Sequence, residues 1–334
     1  MSDTNPATIW IKNPLAIFAQ DSDSGVVIKG QKIIELVPLS AKPKSQIDEV
    51  YDASGSVLLP GLINTHHHFY QTLTRAYPEA LNKELFPWLK SLYKVWANIQ
   101  PEMLAVSTEL ALSELLLSGC TTASDHHYLF PSQLENAIDI QVEEAQKIGM
   151  RVTLTRGSMS LGEKDGGLPP QSVVQTKEKI LTDSERLIKA YHESEEGAMT
   201  QIALAPCSPF SVTTDLMIET AELAQQYDVR LHTHLAETID EENFCLDKFG
   251  LRTVDYLESV GWLSDRTWLA HGIHFNQQEI QKLGDFGVGI CHCPSSNMVL
   301  ASGICHSLEL EEAGSTIGLG VDGSASNDGS NMIA

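Results

Sequence analysis

The sequence predicts an α/β fold, a (β/α)8 TIM-type barrel preceded by a small β-sandwich domain, on three observations. Up to about residue 58, apolar and polar positions alternate with period two. Beyond that point, eight short apolar runs alternate with amphipathic stretches, the rhythm of β-α units repeated around a parallel sheet. Histidines and one aspartate gather where these runs end, and in such a barrel the strand ends form the active face.

The first segments, ATIWIKNPLAIF, GVVIKGQKIIELVP and EVYDASGSVLLP, read as short antiparallel strands broken by Gly and Pro. They assign residues 1–58 to the N-terminal part of a small β domain and residues 59–334 to the barrel. The barrel strands are read as SVLLPGLINTHHH, CTTASDHH, RVTLTRGSMS, QIALAPCSPF, VRLHTHLAE, TWLAHGIHF, GVGICHCPSSN and STIGLGVDGSA. Helices are read between them, among others in LAVSTELALSELLLSG, LENAIDIQVEEAQKIG and DLMIETAELAQQYD. The eighth strand ends near Asp322 and the sequence stops at Ala334. A helix after strand eight and the returning strands of the small domain are therefore expected to be missing, about a hundred residues by typical barrel lengths. The stretch LGEKDGGLPPQSVVQ after strand three has the length of a functional lid.

Composition narrows the partners. A formal net charge of -22 over 334 residues repels nucleic acid and anionic membrane, and its plain reading is solubility. Hydrophobic residues make up 42%, enough for a sizeable core, and a homo-oligomer is admissible. The six cysteines form no CxxC pair, which suits a reduced, cytoplasmic protein. The opening MSDTNPATIW has no basic region followed by an apolar run, and no stretch has the length of a transmembrane helix.

The chemistry concentrates at four strand ends. On an extended chain, residues two apart share a face, so His66 and His68 point together while His67 points away. Two imidazoles on one face suit a borderline divalent ion, although a three-histidine run also fits a solvated loop. His234 on strand five offers a third imidazole, and Glu237 follows just past the strand end, within reach of a proton beside the metal. His232 has the same facing one layer deeper, where a hydrogen-bonded core histidine is an equal reading. His271 lies near the end of strand six. Asp322 ends an otherwise apolar strand, where burying a carboxylate is costly unless it is paired or binds a metal. Gly318 to Gly323 fit the dinucleotide pattern GxGxxG, but no helix or acidic residue follows at the required distance. Cys291 and Cys293 share a face without His292, which argues against a second metal site there.

In order and spacing, PGLINTHHHF, LHTHLAE, LAHGIHF and LGVDGSASND resemble the amidohydrolase superfamily, in its deaminase and chlorohydrolase branch. The resemblance runs over nearly the whole chain. More narrowly, HHHFYQTLTRAYP, LFPWLKSLY, GCTTASDHHYLFP, LTRGSMSLGEKDGGLPP and CHCPSSNM are similar to the bacterial deaminases of 8-oxoguanine. The resemblance implies His66, His68, His234 and Asp322 as ligands of one divalent metal, zinc or iron. It implies Glu237 as proton shuttle and His271 as the residue that orients or polarises at the metal. The resemblance also implies a small-molecule partner. The implied reaction is hydrolytic deamination of an oxidised purine base, with Asp322 taking a proton from water and Glu237 protonating a ring nitrogen.

Further contacts are read from position. The amide of Gln71, three residues past His68, suits a purine edge, and Trp88 suits stacking on the ring. Arg156 ends strand three and can meet a ring carbonyl or form a structural ion pair; Cys207 ends strand four and is equally a small hydrophobe. One of His126 and His127 is expected to line the pocket, and Asn297 to order the loop beside Asp322. The rival functions are triazine dechlorination or deamination of guanine, isocytosine or an adenosine derivative. An iron oxygenase and an inactive metal-binding fragment are the rivals outside the branch.

Overall fold

The computed structural model describes residues 6–333 and divides the chain into two units, Met1–Gly61 and Leu62–Ala334. The first unit holds β1 (Thr8–Lys12), β2 (Ala16–Ile17), β3 (Gly25–Lys29), β4 (Lys32–Leu36), β5 (Glu49–Asp52) and β6 (Val57–Leu58). A four-stranded sheet runs β4-β3-β1-β5, and β2 pairs with β6. The β1–β3 and β3–β4 pairs are antiparallel, but β1–β5 and β2–β6 are parallel, which corrects the expectation of antiparallel strands alone. The reason is topological. A long return after β4 brings β5 back in the direction of β1, and period-two patterning is the same for either orientation.

The second unit is a closed barrel of eight parallel strands. They are β7 (Leu62–Asn64), β8 (Cys120–His127), β9 (Arg151–Ser158), β10 (Thr200–Pro206), β11 (Leu231–Leu235), β12 (Thr267–His271), β13 (Gly289–His292) and β14 (Ile317–Leu319). They pair in chain order, and β14 closes on β7 through Leu319 and Asn64. Helices follow the strands with ordinary signals. Pro101 opens Pro101–Leu117 at a position where its missing N–H costs nothing. Asn276 and Glu279 form a reciprocal capping box on Gln277–Asp285. Gly149 and Gly250 end Ala137–Ile148 and Ile239–Phe249 in the left-handed conformation. After β14 the described chain holds the short helix Ser324–Asn327, and Leu319 and Ile63 are exposed.

The core lies between strands and helices and includes the fully buried Trp96, Trp262, Leu112 and Leu154. Burying each such side chain contributes about 1.5–3 kcal/mol. The six cysteines are buried free thiols. Among the described residues, no helix is long and apolar enough to cross a membrane. The stretch of residues 161–175 is organised by two 3-10 turns, Glu163–Asp165 and Gln171–Val173.

Candidate metal centre and active site

The strand ends deliver the functional side chains. β7 stops at Asn64, and the chain continues extended through His66, His67 and His68, with His67 O accepting from His126 N at 2.7 Å. Alternation turns His66 and His68 into the barrel mouth and sends His67 the other way, where its Nε2 meets Ser330 Oγ at 2.9 Å. β11 supplies His232 and His234, and β12 ends on His271. Asp322 lies just beyond β14, and its N–H donates to His66 O at 3.1 Å, which sets two of these residues side by side. Gly320 permits that approach: a Cβ there would stand 2.6 Å from Cys291 Sγ and 2.9 Å from His66 Cβ.

Four atoms converge. His66 Nε2 and His68 Nε2 lie 3.3 and 3.2 Å from Asp322 Oδ1, and His68 Nε2 lies 3.1 Å from His234 Nε2. Backbone carbonyls fix which ring nitrogens carry protons. His68 Nδ1 donates to His126 O and His234 Nδ1 to Cys207 O, both at 2.7 Å. His66 is set by a relay: His232 Nδ1 donates to Trp268 O at 2.8 Å, so His232 Nε2 accepts from His66 Nδ1 at 2.8 Å. All three Nε2 atoms therefore present lone pairs to one another and to a carboxylate. Two acceptors 3.1 Å apart repel unless a cation stands between them. Three imidazole nitrogens and one carboxylate oxygen, oriented by hydrogen bonds from behind, form the donor set of a divalent metal. These residues fit such an ion. His66, His68 and Asp322 form one group close enough to share an ion and His66, His234 and His271 another, and the contact of His68 Nε2 with His234 Nε2 joins the two.

The carboxyls on either side of this centre are driven apart. Burial opposes ionisation of Asp322, and the hydrogen bonds donated to its oxygens favour it, as would a cation among the three Nε2 atoms. Ser296 Oγ and Gly323 N donate to it at 2.6 and 2.7 Å. Glu237 is pushed well above its ordinary value by burial, then by the charges of Asp322 and Glu241. Its Oε2 lies 3.4 Å from His271 Nε2. Asn297 Nδ2 donates to His271 Nδ1 at 3.1 Å, leaving the proton of that ring on Nε2, toward Glu237.

A pocket opens in front of these groups. Helix Leu85–Trp96 walls one side with Leu85, Trp88, Leu89 and Tyr93, which recur at helical spacing. Gln71, Tyr128, Cys207, Phe210, Leu300 and Ser326 complete the wall with His68, His234, Glu237, His271 and Asp322. Gln71 Oε1 and Tyr93 Oη are buried without partners in the protein. No Lys or Arg occurs among these lining residues.

Several expected contacts fall elsewhere. Arg156 is not at the cavity. It pairs in register with His127 on the outer side of the sheet, where Nε donates to Asp183 at 2.8 Å, NH2 donates to Gln175, and the guanidinium covers Phe130. The same alternation turns His127 outward, bonded to Leu129 O, while His126 faces inward and stacks on His234 with ring centroids 4.6 Å apart. His232 stands one layer below His66 as its hydrogen-bond partner. Asn297 holds His271, and Ser296 is the residue bonded to Asp322. His292 is half-buried and does not line the cavity. Tyr93, Tyr128 and Ser296 lie outside the set that the sequence singles out, although the spacing of Leu85, Leu89 and Tyr93 in LFPWLKSLY is a readable signal for Tyr93.

An eight-stranded parallel barrel whose mouth carries His-x-His, two further histidines and an aspartate defines a metal-dependent hydrolase of the barrel type. The chain belongs to the amidohydrolase family, which residues 57–334 match. It is 65% identical over 327 residues to 8-oxoguanine deaminase of Pseudomonas aeruginosa, covering 97% of this chain and 73% of that protein. It is 33% identical over 346 residues to an isoxanthopterin deaminase of an unknown prokaryotic organism, covering 99% of this chain and 71% of that one. Among solved structures, the atrazine chlorohydrolase TrzN of Arthrobacter aurescens TC1, complexed with zinc, superposes with a TM-score of 0.90 at 32% identity, over 97% of this chain and 74% of that one.

Two outcomes follow from this geometry. Replacing His232 with Phe removes the acceptor that fixes the His66 tautomer while leaving the four converging atoms in place. Zinc affinity, titrated into metal-free protein, is expected to fall about 10–100-fold; an unchanged affinity contradicts the relay. The second outcome concerns pH. In metal-free protein, burial lowers His67 and His127 to about 3 and His271 to about 4, and holds His66, His126, His232 and His234 well below their ordinary value. The unfolded chain binds these protons first, so the stability they contribute is lost as pH falls from about 6.5 toward these lowered values. Asp125, raised to about 7, and Glu241, raised to about 8, act oppositely, and their contribution is lost as pH rises through those values. The imidazoles outnumber these carboxyls. Denaturant midpoints are therefore expected to peak near pH 6.5–7 and to fall more steeply on the acid side; a flat profile between about pH 5 and 8 contradicts this.

Proposed function

We propose that this chain is a metal-dependent deaminase of an oxidised purine base, converting 8-oxoguanine and water to urate and ammonia. The observation that carries the reading is the convergence of three imidazole lone pairs and the Asp322 carboxylate at the floor of the cavity. The 65% identity to the Pseudomonas aeruginosa enzyme supports the choice of base. A divalent ion held by His66, His68, His234 and Asp322, zinc by analogy with the zinc-containing relative, supplies a Lewis acid and lowers the pKa of water.

The chain's own groups divide the remaining work. Asp322, kept ionised, accepts the proton of the attacking water. Glu237, kept protonated, delivers a proton to the ring nitrogen beside the carbon that is attacked. Carboxyls whose environments separate their pKa values in this way are suited to the base and acid roles. His271 points its Nε2 proton at the same region and stabilises the developing oxyanion. The unpartnered Gln71 amide oxygen and Tyr93 hydroxyl offer hydrogen bonds to the edges of the base, while Trp88 and Phe210 cover its faces. No lysine or arginine in the wall pairs a phosphate, in keeping with a free base rather than a nucleotide.

Ammonia release from 8-oxoguanine by the zinc-loaded protein tests the reading, with Glu237→Gln alongside. The parent is expected to turn over, and the variant to lose about 10²–10⁴-fold in kcat while binding the same zinc. Parent-like turnover by the variant removes Glu237 from the mechanism. Preference of the parent for a chloro-triazine over the purine overturns the choice of substrate.

A further inference from the structure

The turn that carries Glu237 runs against ordinary backbone preference. Ala236, between β11 and helix Ile239–Phe249, has a φ of 51°, a left-handed conformation that strains an alanine. Such a conformation persists only where its surroundings hold it. The side chain that usually caps such a helix is idle here: Thr238, at the N-cap, makes no capping bond. Glu241, on the first turn, reaches further back, and its Oε2 accepts the Glu237 N–H at 2.9 Å. On the other side, Ala236 O accepts from Ile273 N and His274 N at 2.9 and 3.0 Å. The Glu237 peptide is thus clamped between the helix start and the loop that follows His271.

Glu241 is an expensive residue to keep in this place. It is fully buried, and its Oε1 has no partner in the protein. Burial pushes its carboxyl up to about 8, and Glu242 beside it adds a like charge. Glu242 is itself paired, with Arg252 NH1 at 2.9 Å and Thr253 Oγ1 at 3.1 Å, so no cation is left over for Glu241. The Glu241 carboxyl is turned to the backbone of the turn instead, to the amide of the strained Ala236 and to that of Glu237, the residue that performs the acid step.

We infer that Glu241 is a positioning residue, fixing the Glu237 backbone so that the Glu237 carboxyl faces the cavity beside His271. The inference rests on the role proposed above for Glu237. A displacement of about 1 Å at a proton donor is enough to cost up to 10²-fold in rate.

The test compares Glu241→Ala, which removes the acceptor, with Glu241→Gln, which keeps an oxygen in place, both zinc-loaded. The readouts are kcat and KM for ammonia release from 8-oxoguanine, zinc content, and hydrogen exchange of the Glu237 amide without substrate. For the Ala variant we expect kcat to fall about 10–100-fold with KM within about threefold of the parent. Its Glu237 amide should exchange at least about tenfold faster, with zinc content unchanged. The Gln variant should restore both rate and protection. Parent-like kcat and exchange in the Ala variant overturn the inference. So does a Gln variant as impaired as Ala, or a loss that tracks loss of zinc or of fold. If the parent itself releases no ammonia, the purine reading fails, and the exchange comparison still decides whether Glu241 holds the turn.

Discussion

Everything at the barrel mouth depends on where three protons sit. His68 and His234 each surrender Nδ1 to a backbone carbonyl, and His66 surrenders its own to His232, which is anchored on Trp268 O. Each ring is left with its lone pair turned toward the same point as the Asp322 carboxylate. The carbonyls belong to the barrel strands or lie just beyond them, so barrel closure and the orientation of the imidazoles are the same construction seen from two sides. Moving one strand by a residue would turn the imidazoles away and put carbonyls in the wrong register.

The turns above the strands are held with equal care. Phe69 N, immediately after His68, donates to the buried Asp125 carboxylate at 2.6 Å, and Gln141 supports that carboxylate at 2.7 Å. Val321 N, immediately before Asp322, donates to Asn64 at 2.9 Å. Glu237 N is held by Glu241. His271 and Asp322 themselves have φ values of 76° and 61°, conformations that need support from their surroundings. The common device is a buried polar side chain bonded to the amide of a functional residue or of its neighbour. It fixes the backbone without occupying space in the cavity.

Much of this could be read from the residues themselves. Eight apolar runs fixed the barrel, and strict alternation separated His67 from His66 and His68. What escaped was mostly long-range. Ser296 and Asn64 act on residues 26 and 257 positions away, and no local pattern announces such partners. Arg156 shows a different gap. A strand end was identified, but its inward set was not; the pairing of Arg156 with the outward His127 decides it. In the first unit, period-two patterning located strands but carried no information about the parallel pairing of β1 with β5. Helix Leu85–Trp96 was the reverse case, since the spacing that faces Tyr93 to the cavity was present in the sequence.

The central claim is that His66, His68, His234 and Asp322 hold one divalent ion between them. The most direct measurement is anomalous diffraction from zinc-loaded crystals. The account predicts one ion per chain, with the three Nε2 atoms at about 2.0–2.1 Å and an Asp322 oxygen at about 2.0–2.2 Å. Zinc bound through other residues, or a fully loaded crystal with no ion among these four, would contradict it.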